Sequence, residues 1–213
     1  IEVALGAQIE TWIGDFDAVC GLRSEAQTQQ DVYDYQERSR AWHDDLCARL
    51  ELWESRNGAL DVLVLAYHRI LDGNLLQKFE NRIVNMHPAD LAVLDERGRR
   101  RYVGKRGVEL AMLDGQPATR TSCFLVNEGM DEGSLVCRGP WVSVAGSRSA
   151  EEQERKQKLH SDPPALRWTM SMLAQRRLTL GEEVHVDGSR ALHLDGRPLP
   201  RGGHDLTEAK GGA

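Results

Sequence analysis

Asn85 and His87 stand two residues apart at the end of the apolar run Arg82-Ile-Val-Asn-Met-His-Pro88. Residues i and i+2 of a strand share a face, so an amide and an imidazole leave it side by side. Pro88 cannot continue a ladder, which ends the strand and sets both groups at its carboxyl end. In open α/β sheets that end is where ligands bind. An amide N–H and an imidazolium are suitable donors for a developing oxyanion, and an imidazole also moves protons. Each residue has a plainer reading: a His before Pro is commonly a hydrogen-bonded loop residue, and an Asn there can cap the loop.

The elements that must position this pair are legible as patterns. Asp61–Tyr67 is nearly all apolar and reads as a central strand covered on both faces. Asp72 is placed to cap a short helix over Leu75–Phe79, and Arg82–Met86 follows as a second strand. Strand, helix, strand implies parallel pairing with a right-handed crossover. Ahead of this unit, Ile1–Ala7 reads as a short strand. Asp31–Arg56 reads as a helix with its apolar face at Trp42, Leu46, Leu50 and Trp53, ended by Asn57-Gly58. Beyond it, Asp90–Gly107 reads as a polar loop and Val108–Leu113 as a short helix. Ser122–Asn127 and Ser134–Val144 read as strands. Glu151–Lys158 and Ala165–Arg177 read as helices with Pro163-Pro164 between them. Leu178–Leu194 reads as a hairpin around Asp187-Gly188, and Leu206 onward as a frayed tail.

The 213 residues carry a formal net charge of −6, which argues against a dominant nucleic-acid footprint. The basic run Arg97–Arg101, with Lys105 and Arg106, is either a solvated loop or a site for an anionic acceptor. The four cysteines show no metal-ligand spacing. Cys123 and Cys137 sit in apolar runs as small buried hydrophobes, which suits a reducing compartment. No metal, membrane or nucleic-acid partner is expected, and the expected location is the cytoplasm.

Three segments in order resemble the folate-dependent formyltransferase family: Asp61-Val-Leu-Val-Leu-Ala-Tyr-His-Arg-Ile-Leu71, Arg82–Pro88, and Val126-Asn-Glu-Gly-Met-Asp-Glu-Gly133. The tail, Arg177-Leu-Thr-Leu and Leu194-Asp-Gly-Arg-Pro-Leu199, is similar to that family's C-terminal hairpin. The resemblance implies a Rossmann-like α/β fold with a mostly parallel sheet, helices on both faces and a small C-terminal hairpin. It divides the chain into a catalytic domain over 1–177, a hairpin extension over 178–205 and a flexible tail over 206–213. It implies 10-formyltetrahydrofolate as formyl donor and a primary amine as acceptor, and allows a homodimer. The catalytic residues it implies are Asn85, His87 and Asp131. Asn85 and His87 would hold the oxyanion, His87 would also move the proton, and Asp131 would orient His87 and a water and favour the cationic ring. Taken alone, Asp131 between glycines is an ordinary turn former. The folate contacts implied are Arg69, Ile70, Leu71, Val126, Asn127, Glu128, Gly129 and Met130, although Ile70 and Leu71 also read as plain core.

The departures from the family pattern lie on the acceptor side. The glycine-rich loop that holds a ribonucleotide phosphate does not precede Ile1–Ala7. Either that segment is absent from the sequence, which opens without Met, or the phosphate is not held in that way. The loop after His87-Pro88 is longer and Arg-rich. Asp162 is the nearest match to a family Glu on the amine side. The acceptor is therefore glycinamide ribonucleotide or an amine of specialised metabolism. The competing activities are formyltetrahydrofolate hydrolysis with release of formate, and folate binding without turnover.

Overall fold

The computed structural model describes Trp12, residues 14–66 and residues 69–207. The strand expected over Ile1–Ala7 lies outside them, as do Tyr67, His68 and residues 208–213. The chain divides into two compact units, Ile1–Gly58 with Leu71–Leu75, and Ala59–Ile70 with Leu76–Ala213.

In the first unit, α1 (Phe16–Cys20) precedes the long helix α2 (Gln29–Asn57). A capping box starts α2: Thr28 Oγ1 accepts from Asp31 N–H at 3.1 Å, and Asp31 Oδ2 accepts from Thr28 N–H at 2.8 Å. Gly58, at φ 94°, closes it with an N–H donated to Glu54 O, as the Asn57-Gly58 pair foretold. The fully buried residues of α2 are Ser39, His43 and Cys47, one helical turn apart. The expected stripe of Trp42, Leu46, Leu50 and Trp53 is only half-buried. The inward face is thus rotated onto smaller side chains, while Trp42 packs edge-on against Phe16.

The second unit is built on a five-stranded sheet. Its strands are β1 (Leu63–Leu65), β2 (Ile83–His87), β4 (Ser122–Leu125), β5 (Leu135–Arg138) and β10 (His204–Asp205), side by side in that order. The connecting helix α3 (Gly73–Phe79) lies between β1 and β2 in the chain, and those two strands are parallel, as expected. Asp72 Oδ1 accepts from the adjacent Gly73 N–H at 2.7 Å, while the next donor, Asn74 N–H, goes to Asp44 Oδ1 at 2.6 Å, so Asp44 takes the bond that the cap reading gave to Asp72. The β2/β4 and β4/β5 pairs are antiparallel, and β5/β10 is parallel. One expectation fails here: β1 spans three residues and, among the described residues, forms an edge with Val64 exposed, not a central strand. Its apolar run reflects β-propensity more than burial.

Two further boundaries move. The strand expected over Ser134–Val144 breaks at Gly139-Pro140, because Pro140 lacks a donor and a Cβ on Gly139 would lie 2.3 Å from Ser161 Oγ. The chain resumes as β6 (Val142–Ser143), paired with β3 (Ala118–Thr119). Pro163 and Pro164 do not separate the helices. After α4 (Gly107–Leu113) and α5 (Ala150–His160), they sit in the first turn of α6 (Asp162–Ala174), where a missing N–H goes unfelt.

The hairpin of β7 (Leu178–Val184) and β8 (Arg190–Leu194) forms around Asp187-Gly188 as expected, with β9 (Arg197–Pro198) added beside β8. Past it, β10 returns the chain to the main sheet, and Leu206 donates its N–H to Arg138 O at 3.1 Å. A buried ionic cluster locks this return. Arg120 Nε donates to Asp90 Oδ2 and its Nη1 to Asp205 Oδ2, each at 2.7 Å, while its guanidinium lies 3.9 Å from the Trp141 ring. The core beneath comprises Val84, Cys123, Leu125, Val136, Cys137, Ala165 and Leu192. Cys123 and Cys137 face each other across β4 and β5, with Thr169 Oγ1 within hydrogen-bonding reach of both sulfurs. None of the four cysteines is in a disulfide, and all four are buried. Among the described residues no helix is long and apolar enough to cross a membrane.

Candidate active site

β2 carries Asn85 and His87 to its carboxyl end, opposite Phe124 and Ser122 of β4. Asn85 Oδ1 accepts from the N–H of Met86 at 2.9 Å. A backbone N–H fixes which end of the amide is oxygen, and among the described residues no partner takes up the Nδ2 amino group. His87 is 5% exposed. Its Nε2 lies 2.6 Å from Tyr102 O, and its Nδ1 lies 3.4 Å from Asp131 Oδ2. A carbonyl only accepts, so Nε2 carries a proton and gives it to Tyr102. The structure thus brings His87 and Asp131 together. Of the two donors expected for an oxyanion, Asn85 Nδ2 is uncommitted, whereas the His87 Nε2–H is spent on the backbone.

Asp131 sits on the turn between β4 and β5 at φ 55°, a left-handed conformation that side chains seldom adopt. Its Oδ2 also accepts from Gly104 N–H at 2.7 Å, so one carboxylate oxygen faces both His87 and the loop that follows it. The turn's neck is closed by Leu125 N–H donating to Ser134 O at 2.9 Å.

The implied folate contacts fall into two groups. Val126 donates its N–H to Ile83 O and its carbonyl accepts from Asn81 N–H, which ties the start of the turn to β2. Asn127 Oδ1 accepts from Gly129 N–H at 3.1 Å and shapes the turn. Glu128 is exposed, Gly129 is half-buried, and Met130 is 57% exposed. Arg69 is half-buried and Ile70 is 70% exposed, so Ile70 is not core. Leu71 is buried and belongs to the first unit, whereas Arg69 and Ile70 belong to the second.

The segment after the motif is held from below. Ser122 Oγ donates to Ala89 O at 2.8 Å and accepts from Leu91 N–H at 2.9 Å, and the buried Gln157 Nε2 donates to Pro88 O at 2.9 Å. Asp162 accepts from Thr121 Oγ1. Gly107 fits against His87: a Cβ there would lie 2.6 Å from Tyr102 O and 2.8 Å from His87 Nε2. Gly107→Ala is therefore expected to destabilise. Helix propensity favours Ala by about 1 kcal/mol, but overpacking against a backbone oxygen costs about 1–3 kcal/mol. A lowered urea midpoint with a perturbed His87 ring signal checks this.

The Arg-rich run is neither wholly solvated nor a basic patch. Arg99 pairs with Asp95, and Arg101 with Asp114, both at the surface. Arg100 points inward, which sequence reasoning missed. Asp95-Glu-Arg-Gly98 is a turn signature, and it sets Leu94 opposite Arg100 in a β-bridge. The Arg100 Nε donates to Asp187 Oδ2 at 3.0 Å, its Nη1 to Asp131 O at 2.5 Å, and its Nη2 to Gly133 O at 2.8 Å. Burial alone would push the Asp187 carboxyl up; hydrogen bonds from Ser189 and the Arg100 guanidinium overrule it and hold it at about 2. Asp205 is held at about 2 in the same way, by Thr207 and Arg120 against burial. Both folded values lie below the ordinary 3.8. Their stabilisation is therefore present above about pH 4 and is lost as pH falls toward about 2, roughly 2 kcal/mol each. Urea unfolding across that window is expected to show the loss, and Asp205→Asn to flatten it.

Among the described residues no group of three His, Cys, Asp or Glu side chains is placed to hold a metal. A family model described as formyl transferase matches residues 3–162. Phosphoribosylglycinamide formyltransferase from Haemophilus influenzae is 29% identical over 150 residues, covering 68% of this chain and 61% of the relative. The chain therefore spans about three fifths of that relative's length. The solved phosphoribosylglycinamide formyltransferase from Coxiella burnetii superposes with a TM-score of 0.57 at 22% identity, covering 78% of this chain and 68% of that one. A formyltetrahydrofolate deformylase from Pseudomonas putida superposes at 0.51 with 16% identity, over 71% of this chain and 48% of that one. At those identities the two solved structures share the fold.

Proposed function

The chain belongs to the formyl transferase family, and on that premise we propose that it moves a formyl group from 10-formyltetrahydrofolate to a primary amine. The observation that carries the reading is the uncommitted Asn85 Nδ2, two residues before a His87 that faces Asp131. Bound at this strand end, the folate supplies the formyl group and the nitrogen that leaves. Asn85 Nδ2–H donates to the formyl oxygen as the amine attacks and charge gathers there. Asp131 holds His87 by Nδ1; once the Nε2–H leaves Tyr102 O, His87 gives that proton to the leaving nitrogen and takes up in its place the proton shed by the attacking amine. Asn127–Met130, with the exposed Met130 and Ile70, would receive the folate.

Glycinamide ribonucleotide is the first acceptor to test, given the name of the Haemophilus relative; it would set the protein in purine biosynthesis. Arg100 is buried and paired, so the Arg-rich loop does not spend that cation on a phosphate. Incubating the full chain with 10-formyltetrahydrofolate and a panel of amines, read by product mass, tests the proposal. A formylated amine supports it. Formate released without any amine product would instead favour the hydrolytic reading that Asp131-Glu132-Gly133 suggests. Binding of folate with neither product would leave a non-catalytic homologue.

A further inference from the structure

We infer that Arg100, anchored by Asp187 at the tip of the β7–β8 hairpin, is the positioning residue that holds Asp131 against His87. The inference rests on the reading of the His87–Asp131 pair as the proton-handling part of a formyl-transfer site.

Three facts converge on Arg100. First, its side chain is 2% exposed, and its partner Asp187 is 1% exposed, so this is a built ionic contact in the interior and not a surface pair. Second, its two remaining nitrogens donate to the carbonyls of Asp131 and Gly133, on either side of the turn tip. Third, Asp131 holds φ 55°, a conformation a non-glycine residue keeps only when its surroundings impose it. The guanidinium holds the turn by its backbone carbonyls, while Gly104 N–H and His87 Nδ1 meet the Asp131 side chain. The charged groups around Arg100 are Asp187, Asp131 and Arg201.

Asp187 is itself fully engaged. Oδ1 accepts from Ser189 N–H and Oγ–H, and Oδ2 accepts from Arg100 and Arg201. Arg201 also donates to Ala92 O, in the loop that follows the His87 motif. The hairpin tip therefore braces both sides of the site: the Asp131 turn through Arg100, and the Ala92 loop through Arg201. A lysine at position 100 could not do this, because one ammonium lacks the planar fork that reaches a carboxylate and two carbonyls together.

The test uses the full chain and two readouts: kcat for formyl transfer, and the ring nitrogen chemical shifts of His87 at one fixed pH, read by NMR of ¹⁵N-labelled protein. Arg100→Lys and Arg100→Met are expected to lower kcat by about 100-fold, and to move the His87 ring shifts toward those of Asp131→Asn. Asp187→Asn, which keeps shape and removes the charge, is expected to move both in the same direction by less, and it serves if the Arg100 variants do not fold. Arg99→Met, on the exposed neighbour, should leave both unchanged. Folded Arg100→Met, or Asp187→Asn in its place, with wild-type kcat and wild-type His87 ring shifts would overturn the inference. If the wild-type chain transfers no formyl group, the proposed function falls and the His87 ring shifts alone decide the positioning role.

Discussion

Asn85→Asp is expected to lower formyl transfer by about a thousandfold while leaving the fold in place. The loss of one oxyanion donor typically removes about 10²–10³ in rate. The carboxylate goes further, because it sets a negative charge where the developing oxyanion must form. The fold should tolerate the change, since among the described residues the bond the Asn85 side chain makes is to Met86 N–H, and an Asp oxygen can accept it equally well. Asn85→Ala removes both functions and should lose activity with a small additional loss of stability. The measurement is kcat beside a urea midpoint for each variant. Equal activity in wild type and Asn85→Asp would remove Asn85 from the site.

The second large effect concerns stability. Arg120→Met is expected to destabilise the protein by about 3–5 kcal/mol, the usual consequence of leaving buried charges unpaired. Arg120 touches both Asp90 and Asp205, and neither carboxylate can turn to water. Arg138 remains within 3.9 Å of Asp90 and 3.3 Å of Asp205, which argues for the lower end of that range. The triple variant Arg120→Met, Asp90→Asn, Asp205→Asn removes the charges together and should recover much of the loss. Urea unfolding at neutral pH compares the two. A triple variant no more stable than the single one would show that packing on Trp141, not charge, is what Arg120 supplies.

The parts legible in the sequence are those whose signal is local. The run ending at Pro88 placed Asn85 and His87 because alternation and a missing donor act over a few residues. The Asp187-Gly188 turn and the Asn57-Gly58 end of the long helix were legible for the same reason, through turn and cap residues, whereas the Thr28 cap that starts that helix was not. What was not legible depends on partners far along the chain. Arg100 reads as one more loop arginine, and its anchor lies 87 residues away. β10 is two residues long, and only its register beside β5 makes it a strand. The rotation of the α2 face came from packing, which chose Ser39, His43 and Cys47 over larger apolar neighbours. The turning of His87 Nε2 onto Tyr102 O is a geometric fact that no residue type announces.

The four sheltered thiols give the molecule a built-in reporter. Cys20 and Cys47 belong to one compact unit, and Cys123 and Cys137 to the other. An alkylating reagent reaches a buried sulfur only during an opening of the surrounding structure. Peptide-resolved mass spectrometry of labelling over time would then read two separate clocks, one for each unit, with no probe added. Substrate or variant effects could be assigned to the unit whose clock slows or quickens.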